Sequence, residues 1–122
     1  VMAAAVSDFQ VTNPHEGKLS RSTVPELKLS STPDLLAAYT KQFPQSFAVG
    51  FALVDQEEDV INASRSKLET KGAKVVTGNS VSSLEGSDTV VQYVDADSEV
   101  EISGTKDEVA REIMRRVAAQ LS

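Results

Sequence analysis

The sequence predicts an α/β fold, a three-layer α/β/α sandwich around a largely parallel sheet with an antiparallel hairpin at one edge. Three observations predict it. Short apolar runs at Val1–Val6, Ser46–Leu53 and Ala73–Thr77 alternate with longer stretches of helical period. Asp55–Lys71 is acidic at its start and basic at its end, and Gly72 follows it. That is how a helix complements its own dipole and stops at a left-handed residue. Thr89–Tyr93 and Val100–Ile102 flank the turn at Asp95–Asp97, which reads as a hairpin.

Taken in order, Val1–Val6 suits a strand buried on both faces, and Asp8 lies just past its C-terminal end. Residues 9–24 hold Asn13-Pro14, Gly17 and a Ser/Arg/Thr cluster, a long polar loop. Glu26–Ser30 alternates and reads as a strand with one wet face. Thr32 is placed to cap a helix with Pro33 at its first position, Asp34 in its first turn and Leu35, Leu36 and Tyr39 as its apolar stripe. In the Asp55–Lys71 helix, Val60, Ala63 and Leu68 can face the sheet. Residues 78–88 are rich in Gly, Asn and Ser and read as a loop. Thr105 to Leu121 closes the chain as a helix with Val109, Ile113, Val117 and Leu121 at four-residue steps.

Composition narrows the function. A chain of 122 residues is expected to form one domain, 1–122, with a modest core. Four Phe, two Tyr and no Trp make that core aliphatic. A net charge of -6 argues against a general nucleic-acid binder but leaves room for a local basic pocket. The absence of Cys removes disulfides and thiolate chemistry, and His15, the single His, gives no zinc cluster. No apolar run approaches the ~20 residues of a membrane span. The first residues lack the basic and apolar regions of a signal peptide. Because Val1 already lies within an expected strand, further sequence is expected to precede it.

Asp8 sits where ligands gather in open α/β sheets, at a strand's C-terminal end. Its carboxylate suits a nucleotide or its Mg²⁺, although a turn aspartate is the commoner use. Lys18, ten residues on, reads by itself as a solvated surface lysine. Phe51 reads equally as a core aromatic. Lys67 and Lys71 share one helix face at i, i+4 and repel modestly unless an anion lies near.

Read as an ordered set, these segments resemble phosphopantothenate–cysteine ligase, a family of coenzyme A biosynthesis. The family's Ala-Ala-Val-(Ala/Ser)-Asp-(Tyr/Phe) element matches Ala4-Ala5-Val6-Ser7-Asp8-Phe9. Its Lys-x-Lys-Lys element places its first lysine on Lys18, with Ser20 and Arg21 departing from the rest. Its Pro-Asp-Ile-(Val/Leu) matches Pro33-Asp34-Leu35-Leu36, preceded here by Ser31-Thr32 rather than Lys-Asn. Its Val-Gly-Phe-Ala-Ala-Glu-Thr matches Val49-Gly50-Phe51-Ala52, after which Leu53-Val54-Asp55 departs. Its Lys-Leu-Glu-x-Lys-Gly matches Lys67-Leu68-Glu69-Thr70-Lys71-Gly72. Its Ala-Asn-Asp-Val-Ser corresponds to Gly78-Asn79-Ser80-Val81-Ser82, with Ser80 in place of Asp.

The resemblance covers essentially the whole chain and corresponds to the C-terminal half of the family's ligase domain. It implies a Rossmann-like fold in which Ala3, Ala4, Asp8, Lys18, Pro33, Asp34, Leu35, Leu36, Phe51, Lys67 and Lys71 bind a nucleotide. It further implies that Lys18 serves the chemistry and that Asp8 holds Mg²⁺. The reaction implied ligates 4′-phosphopantothenate to cysteine through an acyl-nucleotide. CTP is the expected co-substrate, with ATP the other possibility. A cytoplasmic homodimer is implied, completed by an N-terminal half. The departures at Ser20, Ser31, Val54 and Ser80 leave open a nucleotide-binding module without turnover, or a structural half-domain that needs a partner.

Overall fold

The computed structural model describes residues 1–3, 6–18, 20–21, 26–55, 59–84 and 86–122, with the backbone alone at Leu84. They divide into two compact units, Ala4–Asp34 and a larger one made of Val1–Ala3 with Leu35–Ser122.

The smaller unit is a two-stranded antiparallel ribbon of β1 (Phe9–Val11) and β2 (Leu29–Ser31), with Phe9 opposite Ser31 and Val11 opposite Leu29. The Thr12 amide donates to the Lys28 carbonyl and the Thr32 amide to the Asp8 carbonyl, each at 2.9 Å, continuing the ladder at both ends. Thr32 therefore does not cap a helix as the sequence suggests. Its hydroxyl also donates, to the Ser7 carbonyl. Phe9, Val11 and Leu29 lie on one face of the ribbon and are exposed.

The larger unit runs α1 (Leu35–Gln42), β3 (Val49–Val54), α2 (Val60–Lys71), β4 (Val75–Ser80), β5 (Asp88–Asp95), β6 (Glu99–Thr105) and α3 (Lys106–Leu121). Its sheet has the order β3-β4-β5-β6. β3 and β4 are parallel, joined by the α2 crossover, whereas β4–β5 and β5–β6 are antiparallel. The α/β class, the layering and the edge hairpin are those the sequence predicts. The expected strand at Val1–Val6 is represented among the described residues by one hydrogen bond, from the Met2 amide to the Val49 carbonyl at 3.0 Å. Val1 and Val6 are exposed, so neither gains the two-sided burial that their composition is suited to.

Successive strand residues point to opposite faces, and Val75 and Val76, both fully buried, start the two halves of the core. On one face Val49, Val75, Val91, Tyr93 and Ile102 pack against Val109, Ile113 and Val117 of α3. Leu121 is exposed and takes no part. On the other face Ala48, Ala52 and Val76 pack with Leu36, Ala73 and Leu68. Small residues let the helices approach closely there. A Cβ on Gly50 would lie 2.8 Å from Leu36 Cδ2, and one on Gly78 would lie 2.1 Å from Ser64 Oγ. Gly72 stops α2 at φ 64°, a left-handed conformation that side chains disfavour.

Thr105 caps α3 in a capping box. Its amide donates to Glu108 Oε2 at 2.9 Å, and the Glu108 amide donates to Thr105 Oγ1 at 3.3 Å. The hairpin turn is fastened by Asp95, whose carboxylate accepts the Asp97 and Ser98 amides, the Ser98 hydroxyl and the Gln120 amide of α3. Partial burial pushes that carboxyl up, and these hydrogen bonds outweigh it, leaving its pKa below the ordinary value.

On the surface of α3, Glu112 receives hydrogen bonds from Arg115 and Arg116, and the Arg115 bond above all draws its pKa from the ordinary 4.5 to about 2. A depressed carboxylate stabilises the fold above its unfolded pKa and ceases to do so as pH falls through the folded one. Glu112→Gln is therefore expected to flatten the decline of Tm between pH 4.5 and 2. An unchanged acid limb would show that the two arginines contribute nothing there.

Candidate functional site

In the smaller unit, Asp8 stands at the bend just before β1 and is exposed. Its carbonyl is engaged by Thr32, and among the described residues its carboxylate makes no hydrogen bond and stays open to a ligand. The sequence places Asp8 after a strand, whereas here it precedes one. Lys18 follows Gly17, whose φ of 96° turns the loop, and its side chain is exposed. Pro33 and Asp34 are exposed in the segment that ends this unit. Ala4 lies outside the described residues.

In the larger unit, Ala3 is exposed beside Met2. Leu35 and Leu36 begin α1 and diverge: Leu35 is exposed, whereas Leu36 is 8% exposed, seated over Gly50 in the core. Any contact that Leu36 makes with a ligand is therefore left to its backbone. Tyr39 and Phe43 continue the outer face of Leu35 with ring centroids 5.1 Å apart. Phe51 lies midway along β3 and is 39% exposed.

Lys67 of α2 reaches this strand, and its Nζ donates to the Phe51 carbonyl at 2.6 Å. Lys71, one turn later, has its own carbonyl engaged by the Thr40 hydroxyl of α1. Its backbone thus stands beside the later part of α1, about 7.5 Å along the axis from Leu35 at 1.5 Å per residue. The structure brings Phe51 and Lys67 into contact. It places the Lys71 backbone beside Thr40, further along α1 than Leu35 and Leu36.

Sequence reasoning takes residues 78–88 as a structural loop. Gly78, Asn79 and Ser80 instead extend β4. They border a half-open cavity of about 770 Å³ with Val60, Ile61, Ser82, Ser83, Asp88, Gln92, Glu101 and Ser103. The strand-end rule is the signal that marks this place. The Ser80 and Ser82 hydroxyls bond each other at 2.8 Å, and the Ser83 hydroxyl donates to the Ser80 carbonyl. Gln92 donates to Glu101. Among the described residues, no Lys or Arg lines this cavity, and neither does any of the sequence-predicted site residues. With two carboxylates and no cation among its described residues, it does not suit a triphosphate.

Among the described residues, no group of three or more His, Cys, Asp or Glu comes together to hold a metal. Mg²⁺ is commonly held by one or two carboxylates together with substrate phosphates, so Asp8 alone fits that use. No described helix is long and apolar enough to cross a membrane.

The chain is 32% identical over 99 residues to the coenzyme A biosynthesis bifunctional protein CoaBC of Thermococcus kodakarensis, a match taking in 80% of this chain and 25% of that protein. Among solved structures, the C-terminal domain of a coenzyme A biosynthesis bifunctional protein CoaBC is similar at 25% identity and a TM-score of 0.73, covering 97% of this chain and 52% of that one. The DNA/pantothenate metabolism flavoprotein from Streptococcus pneumoniae shares the fold at 22% identity and a TM-score of 0.79, covering 95% and 60%. So does the H337A mutant of Cab2, solved in complex with phosphopantothenate-cysteine, at 21% identity and a TM-score of 0.79, covering 97% and 42%. The chain thus spans a quarter of the curated relative and about half of these solved chains. The family model of the DNA/pantothenate metabolism flavoprotein C-terminal domain matches residues 1–121, and the chain belongs to that family.

Proposed function

We propose that this chain forms the C-terminal half of a phosphopantothenate–cysteine ligase site. The observation that carries this reading is the family match over residues 1–121, supported by 32% identity to a coenzyme A biosynthesis protein. In the proposed reaction, the carboxylate of 4′-phosphopantothenate attacks the α-phosphorus of CTP, forming an acyl-cytidylate and releasing pyrophosphate. The amine of cysteine then attacks the acyl carbon, an amide bond forms, and CMP leaves.

The chain's own residues would position and neutralise charge. Asp8, exposed and without a hydrogen bond to its carboxylate among the described residues, would hold Mg²⁺ with the triphosphate, and the bound ion would offset phosphate charge. Lys18, on the loop turned by Gly17, is free to follow the charge that develops at the reacting phosphate. The exposed ring of Phe51 offers a stacking face, and the basic end of α2 adds cations. A homodimer fits the ribbon of β1 and β2, where Phe9, Val11 and Leu29 present one exposed apolar face. The cytoplasm is the compartment that goes with this reaction.

Calorimetric titration with CTP and with ATP, each with Mg²⁺, tests the reading. Heat with CTP that disappears in a Lys67→Ala/Lys71→Ala variant is the expected result. Heat with ATP alone would replace the nucleotide. Binding without pyrophosphate release, in the presence of both acceptor substrates, would leave a nucleotide-binding module and remove the ligase.

A further inference from the structure

We infer that Thr32 is the positioning residue for Asp8: it ties down both peptide groups that flank Asp8 and so aims the carboxylate. This rests on the reading of Asp8 as a holder of Mg²⁺ and deepens it.

The ribbon that carries Asp8 is short. β1 and β2 have three residues each, and Phe9, Val11 and Leu29 are exposed, so apolar packing does little to hold it. Two paired strands are marginal in water without such packing, and the hydrogen bonds at their ends matter accordingly.

Thr32 supplies two of those bonds. Its hydroxyl donates to the Ser7 carbonyl, and its amide donates to the Asp8 carbonyl at 2.9 Å. The Ser7 carbonyl belongs to the peptide group before the Asp8 Cα, and the Asp8 carbonyl to the one after it. Peptide groups are planar, so one bond on each constrains the two soft backbone torsions at Asp8. The direction of its Cα–Cβ bond follows. The Ser7 hydroxyl donates to the Phe9 carbonyl at 2.9 Å, across the same bend.

Thr32 suits this use for local reasons. It precedes Pro33, and a residue before proline is steered to extended backbone, which keeps its amide in the ladder. Its β-branched side chain has few χ1 choices, so the hydroxyl loses little freedom in reaching Ser7. Its hydroxyl hydrogen goes to the backbone and not to the Asp8 carboxylate. Among the described residues that carboxylate accepts no hydrogen bond and keeps its lone pairs for a cation. Pro33 and Asp34 come next in the chain, so Thr32 also joins the Asp8 bend to the second nucleotide segment of this unit.

Thr32→Val keeps the shape and the amide but removes the hydroxyl, and Thr32→Ser keeps a hydroxyl. By calorimetry, Thr32→Val is expected to raise the Mg²⁺ concentration needed for half-maximal CTP binding by about 10-fold, the equivalent of one hydrogen bond. Thr32→Ser should return it to the unmodified value. Thr12→Val, the same change at the other end of the ladder, should leave it unmoved. In an Asp8→Asn background, Thr32→Val should weaken CTP binding no further, because Thr32 acts through Asp8. An unchanged Mg²⁺ requirement in Thr32→Val, or an equal further loss in the Asp8→Asn background, would overturn the inference.

A second measurement needs no nucleotide. The ¹³C′ resonance of Ser7 and the amide resonance of Asp8 should shift in Thr32→Val and return in Thr32→Ser. Unmoved signals in Thr32→Val would overturn the inference as well. An Asp8→Asn chain that binds Mg·CTP as tightly as the unmodified one would remove the Mg²⁺ reading of Asp8, and the Ser7–Asp8 resonances would then decide by themselves whether Thr32 sets this bend.

Discussion

Lys18→Ala is expected to reduce pyrophosphate release, measured with 4′-phosphopantothenate, cysteine and CTP, by about 100-fold or more while leaving the circular dichroism spectrum unchanged. Removing one preorganised donor from a site where charge develops typically costs about 10²–10³ in rate. The structural side of the expectation is simple. Lys18 is exposed, so truncating it leaves no cavity. The control is Lys28→Ala. Lys28 is also exposed, belongs to the same unit and changes net charge equally. A loss confined to Lys18→Ala ties the effect to a specific position. Equal losses in both variants would reduce Lys18 to a contributor to general electrostatic attraction, and normal turnover in Lys18→Ala would remove it from the chemistry.

What was legible in the sequence was local. Gly72 stops α2 as read, because a left-handed position is a property of one residue. Val109, Ile113 and Val117 form the buried stripe of α3, because a period near four is written into 16 consecutive residues. What was not legible depended on partners distant in sequence. Leu35 and Leu36 are equivalent by period, and the void over Gly50 decides that Leu36 goes inward. Thr32 has the residue type of a helix cap, but the competing acceptor on Ser7 and the ladder to Asp8 claim it. Gly78-Asn79-Ser80 has poor strand propensity, yet it completes β4 because β3 and β5 supply partners at Gly78 and β3 supplies them through Ser80.

The candidate site shows the same division. Lys67 and Lys71 match one motif and share a helix face, which makes them look like a pair. The tertiary structure gives Lys67 an acceptor sixteen residues away on β3, and no spacing rule contains that.

Gly78→Ala is expected to destabilise the larger unit by about 1–3 kcal/mol, the usual cost of overpacking a close-packed core. The added Cβ would stand 2.1 Å from Ser64 Oγ and 2.8 Å from Val60 Cγ1, with the Val60 carbonyl at 3.3 Å behind them. Ser64 is fully buried and rigidly placed on α2, so relief requires the helix to lift from β4. Ser64 also offers the compensating change. Its hydroxyl is buried without a hydrogen-bond partner among the described residues, a group whose desolvation costs roughly 1–3 kcal/mol. Ser64→Ala by itself should therefore leave stability unchanged or raise it, and it removes the nearest clashing atom. The double variant should recover a substantial part of the loss, with a coupling in the range of about 0.5–3 kcal/mol expected of touching residues. Denaturant unfolding of the four proteins measures this directly. Additive effects would mean that the cost of Gly78→Ala lies in the Val60 contacts, side chain and carbonyl together, and that α2 is held on β4 by its first turn instead of by the Ser64 approach.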